Sequence, residues 1–136
     1  MLKKYLKPIP ISSQISIAIL ILRAGFALLM IPHGYDKIQS FLAGNHDFPD
    51  PLHVTPLVSQ GLTVFAELIC SVLLLVGLLT RPSALILAGC MLIIVFVIQL
   101  NDPLQDREHA LLYLIGYAVL LITGAGRYSL DAKFFR

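Results

Sequence analysis

The sequence predicts an all-α integral membrane protein, an antiparallel four-helix bundle with both termini cytoplasmic. Three observations predict it. Hydrophobic residues make up 57% of the 136 positions and charged residues only 13%, against roughly 45–50% and about 25% in an ordinary soluble domain. Four apolar runs are each long enough to cross a hydrocarbon core of about 30 Å, which takes roughly 20 helical residues. Two charges of opposite sign, Arg23 and Glu67, lie near the middle of the first two runs. A charge at that depth is costly, about 3 kcal/mol on insertion scales, and persists where it faces a bundle interior and finds a partner.

The first span runs from about Ser13 to Ile31, with Ser12 or Ser13 as N-cap and a kink or break at Pro32 and Gly34. An outer segment over about 34–55 follows. Its first part places Ile38, Phe41 and Leu42 on one side, as in a short interfacial helix that Gly44 ends. The stretch NHDFPDPLH then reads as a solvated loop. His46, Asp47, Asp50 and His53 have metal-ligand chemistry, but two prolines break any helical spacing, so no metal is expected. The second span, about 56–79, starts at Pro56 behind the candidate cap Thr55, a favourable first helical position for proline. Only Thr80 and Arg81 separate it from the third span, about 82–100, so the two form a tight antiparallel hairpin. The fourth span, about 103–124, follows Asn101-Asp102-Pro103. The whole chain, 1–136, reads as one membrane domain. The basic start is not read as a cleaved signal, because the apolar run is too long, holds Arg23 and lacks a small-residue cleavage site.

Orientation follows from Lys and Arg. Lys3, Lys4, Lys7, Arg81, Arg127, Lys133 and Arg136 fall on the side of the termini, and only Lys37 and Arg107 fall opposite, seven against two. All four histidines lie on the outer side. The net charge of +2 is small and no basic cluster alternates with aromatics, so no nucleic acid is expected as a partner. The lipid bilayer is the expected surrounding, and a homo-oligomer is compatible with Gly116 and Gly124 as close-contact positions.

Helical geometry gathers the polar residues. Arg23, Ala27, Met30, Gly34 and Lys37 fall near one line, with His33 at its margin. Glu67 lies about 17 Å into a helix starting at Pro56, and Arg23 about 17 Å below Gly34. The two are therefore expected at one depth, joined by a direct or one-water contact. On the fourth span His109, Tyr113, Gly116 and Tyr117 form a stripe, Glu108 lies beside it, and Gln99 joins from the third. The candidate ligand site is thus Arg23, His33, Lys37, Glu67, Gln99, Glu108, His109 and Tyr113. It is expected to line a cavity among spans one, two and four, floored by residues such as Leu29, Leu74 and Leu120. The plainer alternatives are packing for Tyr113, hydrated histidines, a snorkelling Lys37 and a dipole-complementing Glu108. Cys70 and Cys90 fall at similar depth across the hairpin, but without a C-x-x-C motif they read as packing residues.

Three stretches, LRAGFALLMIPHGYDKI, AELICSVLLLVGLLTRPSALIL and EHALLYLIGYAVLLITGAGRYSLD, resemble the DoxX family of small membrane proteins. The carriers are Arg23, His33-Gly34 with Lys37, Glu67, Gly77 through Arg81, Glu108, and Gly124 through Asp131. The resemblance spans Leu22 to Asp131 and implies a four-helix bundle in the cell inner (plasma) membrane. It also implies a link to membrane oxidoreductase complexes, such as the small subunits of archaeal thiosulfate:quinone oxidoreductase. The sequence holds no haem ligand set, flavin motif or nucleotide motif. No cofactor is therefore evident, with quinone as the compatible ligand. Two functions are expected to compete: a quinone- or small-molecule-binding accessory subunit of a membrane redox system, and a non-enzymatic assembly factor for partner membrane proteins. Solute transport ranks behind both, since four spans leave little room for a pathway.

Overall fold

The computed structural model describes residues 2–135, and all regular structure among them is helical. The elements are α1 (Leu2–Leu6), α2 (Ser13–Leu42), α3 (Pro56–Val64), α4 (Ser71–Val76), α5 (Thr80–Ile93), α6 (Leu104–Thr123) and α7 (Leu130–Phe134). Two π-helical segments, Phe65–Cys70 and Ile94–Ile98, join α3 to α4 and extend α5. Three helical stretches are long and apolar enough to cross a membrane: Ser13–Leu42, Pro56–Val76 and Thr80–Ile98.

The fourth long helix, α6, packs along α5 and also meets α2. It has 20 residues, but Asp106, Arg107 and Glu108 occupy its first turns. The uncharged remainder spans only about 22 Å at 1.5 Å per residue, short of the roughly 30 Å hydrocarbon core.

Local sequence explains most boundaries. Ser12 caps α2 by accepting the Ile15 N–H at 3.3 Å, and Thr55 caps α3 by accepting the Val58 N–H at 3.3 Å with Pro56 first in the helix. The expectation at Pro32 needs correction. The helix does not break there; it runs on for 30 residues to Leu42, about 45 Å. The separate interfacial helix is therefore the last turns of α2, ended as expected by Gly44 at φ +79°. Packing overrides the missing Pro32 N–H. A Cβ on Gly34 would lie 2.6 Å from the Leu68 nitrogen and 2.7 Å from the Glu67 carbonyl carbon, so the backbone of α2 rests directly on the second apolar helix. Only glycine permits that approach, and α2 continues through the proline level with this contact beside it.

Gly34 against Glu67–Leu68 sets the register of the antiparallel pair. At its other end, a Cβ on Gly77 would fall 1.6 Å from Arg23 Nη1. The hairpin turn that follows is tight, with Gly77 at φ +72° and Leu79 at φ +51°. Beside it, Arg81 ties three chain segments together, donating to the Tyr5 carbonyl at 2.7 Å and the Ile122 carbonyl at 3.1 Å. The core between the long helices is largely apolar, with Ala27, Leu74, Ala84, Leu87, Tyr117 and Leu120 fully buried. Both cysteines are free, Cys70 inside this core and Cys90 half-buried.

Candidate ligand cleft and its ion pair

Glu67 is 2% exposed and forms a salt bridge with Lys37, whose side chain keeps 30% exposure. The expected Arg23–Glu67 contact does not form. Arg23, 1% exposed, donates instead to the Tyr128 carbonyl at 2.7 Å and lies within electrostatic reach of Asp131. The reason is register and side-chain direction. Gly34, not Arg23, stands level with Glu67, which leaves Arg23 about 17 Å away along the helix. Side chains on a helix also lean toward its N-terminus. Arg23 therefore reaches toward the end that carries the termini, whereas Lys37 reaches inward and arrives at Glu67.

A π-helical turn holds Glu67. One residue more per turn widens the helix and rotates the side chains that follow, and such bulges recur at functional sites. A second π-helical segment, Ile94–Ile98, lies across a cleft from the first. That cleft has a volume of ≈ 540 Å³ and lies between Pro56–Val76 and Thr80–Ile98. Leu62, Phe65, Ala66, Ile86, Ile93 and Ile94 make its apolar walls, and Lys37 brings the charge of its lining. Gly89 and Cys90 form part of the α5 side. Leu62, Phe65, Ile86 and Ile98 are also exposed on the lateral surface, so the cleft opens sideways, where a bilayer would be.

The expected cavity among spans one, two and four is thus misplaced. Of its floor, Leu74 and Leu120 are fully buried core residues, and Leu29 is 65% exposed on the outside of α2. The remaining candidates divide. Tyr113 is half-buried, stacked on Tyr117 at 5.9 Å, and meets Phe26 edge-on at 5.4 Å and His33 at 6.4 Å. His33 is itself exposed. Gln99 closes the turn before α6, donating to the Asp106 carbonyl at 3.2 Å. Glu108 and His109 are exposed at the start of α6, so the structure does not bring them to the Lys37–Glu67 pair.

The outer loop roofs the cleft. Phe48, Pro49, Pro51 and Leu52 line it, so the loop, largely exposed as expected, also has an apolar side turned to the cleft. Gln60, 2% exposed, holds its start, with Oε1 against His46 Nδ1 at 2.9 Å and Nε2 donating to the Asn45 carbonyl at 3.1 Å. Asp50 holds its end by accepting the Ser59 hydroxyl at 2.7 Å and the Thr55 and Val54 N–H groups at 2.9 and 3.0 Å. An isolated glutamine inside the apolar start of the second span was the available sign that the loop is anchored.

The Ser59 hydrogen bond, with the two backbone N–H groups, holds the Asp50 carboxyl below the usual carboxylate range. A depressed folded-state value stabilises above the unfolded value and is lost as pH falls through the folded one. The roof should therefore stay closed at neutral pH and loosen only below about pH 4. Protection of the Val54 and Thr55 amides, taken relative to the intrinsic exchange rate at each pH, should fall over that window in the native protein and be low at all pH values in Asp50→Asn.

The DoxX family profile matches residues 18–100. The chain belongs to the DoxX family. It is also similar to an uncharacterized protein of Haemophilus influenzae, 32% identical over 126 residues and covering 85% of this chain and 89% of that protein. Inner membrane protein YqjF of Escherichia coli is 29% identical over 121 residues, covering 85% of this chain and 90% of its own. No solved structure matches. Family membership, the inner-membrane relative and three apolar helices make this DoxX protein a multi-pass protein of the inner membrane. The family match ends at residue 100, so it includes the Lys37–Glu67 pair and the whole lining of the cleft but not α6.

Proposed function

We propose that the cleft binds a lipid-soluble small molecule with a carbonyl head, a quinone by chemical class, and that the protein is an accessory subunit of a membrane redox system. One observation carries this reading: an apolar cleft of ≈ 540 Å³, open sideways, whose lining presents a single ion-paired ammonium group, Lys37. The volume lies in the range of small-molecule sites, which combine apolar walls with few polar groups that fix orientation. An ammonium held by a buried carboxylate can donate to a carbonyl oxygen without carrying a full unpaired charge. The topology belongs to the same reading. With α6 as a fourth span, its short apolar stretch met by local thinning of the bilayer, both termini lie on one side, and the Lys and Arg surplus there makes that side cytoplasmic.

Gly89 gives the test. It lines the cleft, and a Cβ there meets nothing within 4 Å, so the side chain of Gly89→Phe starts from open space and occupies the cleft. A short-chain quinone should raise the melting temperature of the native protein in detergent by several degrees. Gly89→Phe should retain the native melting temperature and lose the quinone response. A native protein indifferent to quinone, or an undiminished response in Gly89→Phe, rejects this reading in favour of the assembly factor.

A further inference from the structure

At the end of the molecule away from this cleft, a second cavity of ≈ 450 Å³ lies between the chain leading into α2 and the C-terminal segment. Its lining is Lys7, Pro8, Ile9, Pro10, Arg127 and Ala132. Two cations thus stand beside a small apolar wall, which is the chemistry of an amphiphile's anionic head and the start of its tail. Among the described residues no free carboxylate opposes them. Among the described residues the acid at this end is Asp131, which is 1% exposed and has both oxygens engaged by the Leu79 and Thr80 N–H groups.

Position narrows the ligand. Lys7 precedes the first residue of α2 by six positions, and Arg127 follows the last residue of α6 by four. The cavity therefore lies where the long helices leave the hydrocarbon layer, at the depth of lipid phosphates. Arg127 Nη1 donates to Ser13 Oγ at 3.4 Å, which places the guanidinium at the first turn of the 30-residue α2. The free N–H groups and dipole of such an end favour an anion.

We propose that this cavity binds the phosphate of an anionic phospholipid headgroup, with Lys7 and Arg127 as its ligands and Ile9 and Ala132 against the glycerol and upper chain. Basic pockets at the cytoplasmic ends of membrane helices take such headgroups. The site is independent of the ligand in the outer cleft.

The test compares phosphatidylglycerol, phosphatidylcholine and inorganic phosphate by native mass spectrometry of the detergent-solubilised protein. The native protein should hold phosphatidylglycerol on the order of tenfold more tightly than phosphatidylcholine. That preference should vanish in Lys7→Gln/Arg127→Gln and survive in Lys3→Gln/Lys4→Gln, which removes the same charge outside the cavity. Lys7→Gln alone should lose part of it, and serves should the double variant fold poorly. Equal binding of the two lipids by the native protein, or equal loss in both double variants, overturns the site. Displacement of the lipid by millimolar inorganic phosphate would assign it to the free anion instead.

Discussion

Asp131→Ala is expected to lower stability by about 3–5 kcal/mol, the range for stranding a buried charge, which is a large share of the roughly 5–15 kcal/mol of an ordinary domain. Asp131 is 1% exposed and accepts the Leu79 N–H at 2.8 Å and the Thr80 N–H at 2.9 Å. These are donors at the start of α5 that no side-chain cap of their own satisfies. Its own N–H donates to the Gly77 carbonyl at 2.8 Å, and its charge faces the buried Arg23. Alanine leaves two N–H groups unpaired, at about 1–3 kcal/mol each when buried, and removes the counter-charge of Arg23. Asp131→Asn should fall between, because one amide oxygen replaces two carboxylate oxygens. Detergent unfolding followed by helical signal checks the order native, Asn, Ala. An alanine variant within 1 kcal/mol of native would show that Asp131 does not hold the hairpin.

The second large effect is asymmetric. Lys37→Met should destabilise by about 3–5 kcal/mol, because Glu67, 2% exposed, is left as an uncompensated buried charge. Glu67→Leu should do less harm, since Lys37 keeps 30% exposure and can turn its ammonium outward. The double variant Lys37→Met/Glu67→Leu should recover most of the loss, as replacing both members of a buried pair by apolar residues often does. The cycle of four proteins gives the coupling. Additive losses, or a Glu67→Leu variant weaker than Lys37→Met, would contradict the pairing seen here.

These two networks show where sequence reading stopped. Arg23 and Glu67 stand out in any linear reading, because each interrupts an apolar run, and both are indeed buried. Their partners, Tyr128, Asp131 and Lys37, lie outside the apolar stretches or at their edges. Lys37 shares the stripe of Arg23 and Gly34 in the linear reading, but a matching depth pairs Glu67 with Arg23 and leaves the lysine at the rim. With α2 continuous, the same lysine becomes part of the helix that packs against Glu67. The cleft moved for a related reason. A 100° wheel assigns faces to an unbroken α-helix, but two π-helical segments change the phase of the second and third helices.

What the sequence determined by itself is the environment and the elements. Composition required a bilayer, the apolar runs required helices, and Ser12, Thr55-Pro56 and Gly44 marked where helices start or end. Those features are local, decided by solvation and by backbone preferences over a few residues. Tertiary structure alone decided which charge meets which, where space remains, and that the outer loop covers it. Each depends on the longitudinal register of packed helices, set here by the backbone contact of Gly34 with Glu67–Leu68. A shift of two or three turns leaves every helix equally apolar and equally well capped, so hydropathy and capping cannot distinguish one register from another. Close packing does.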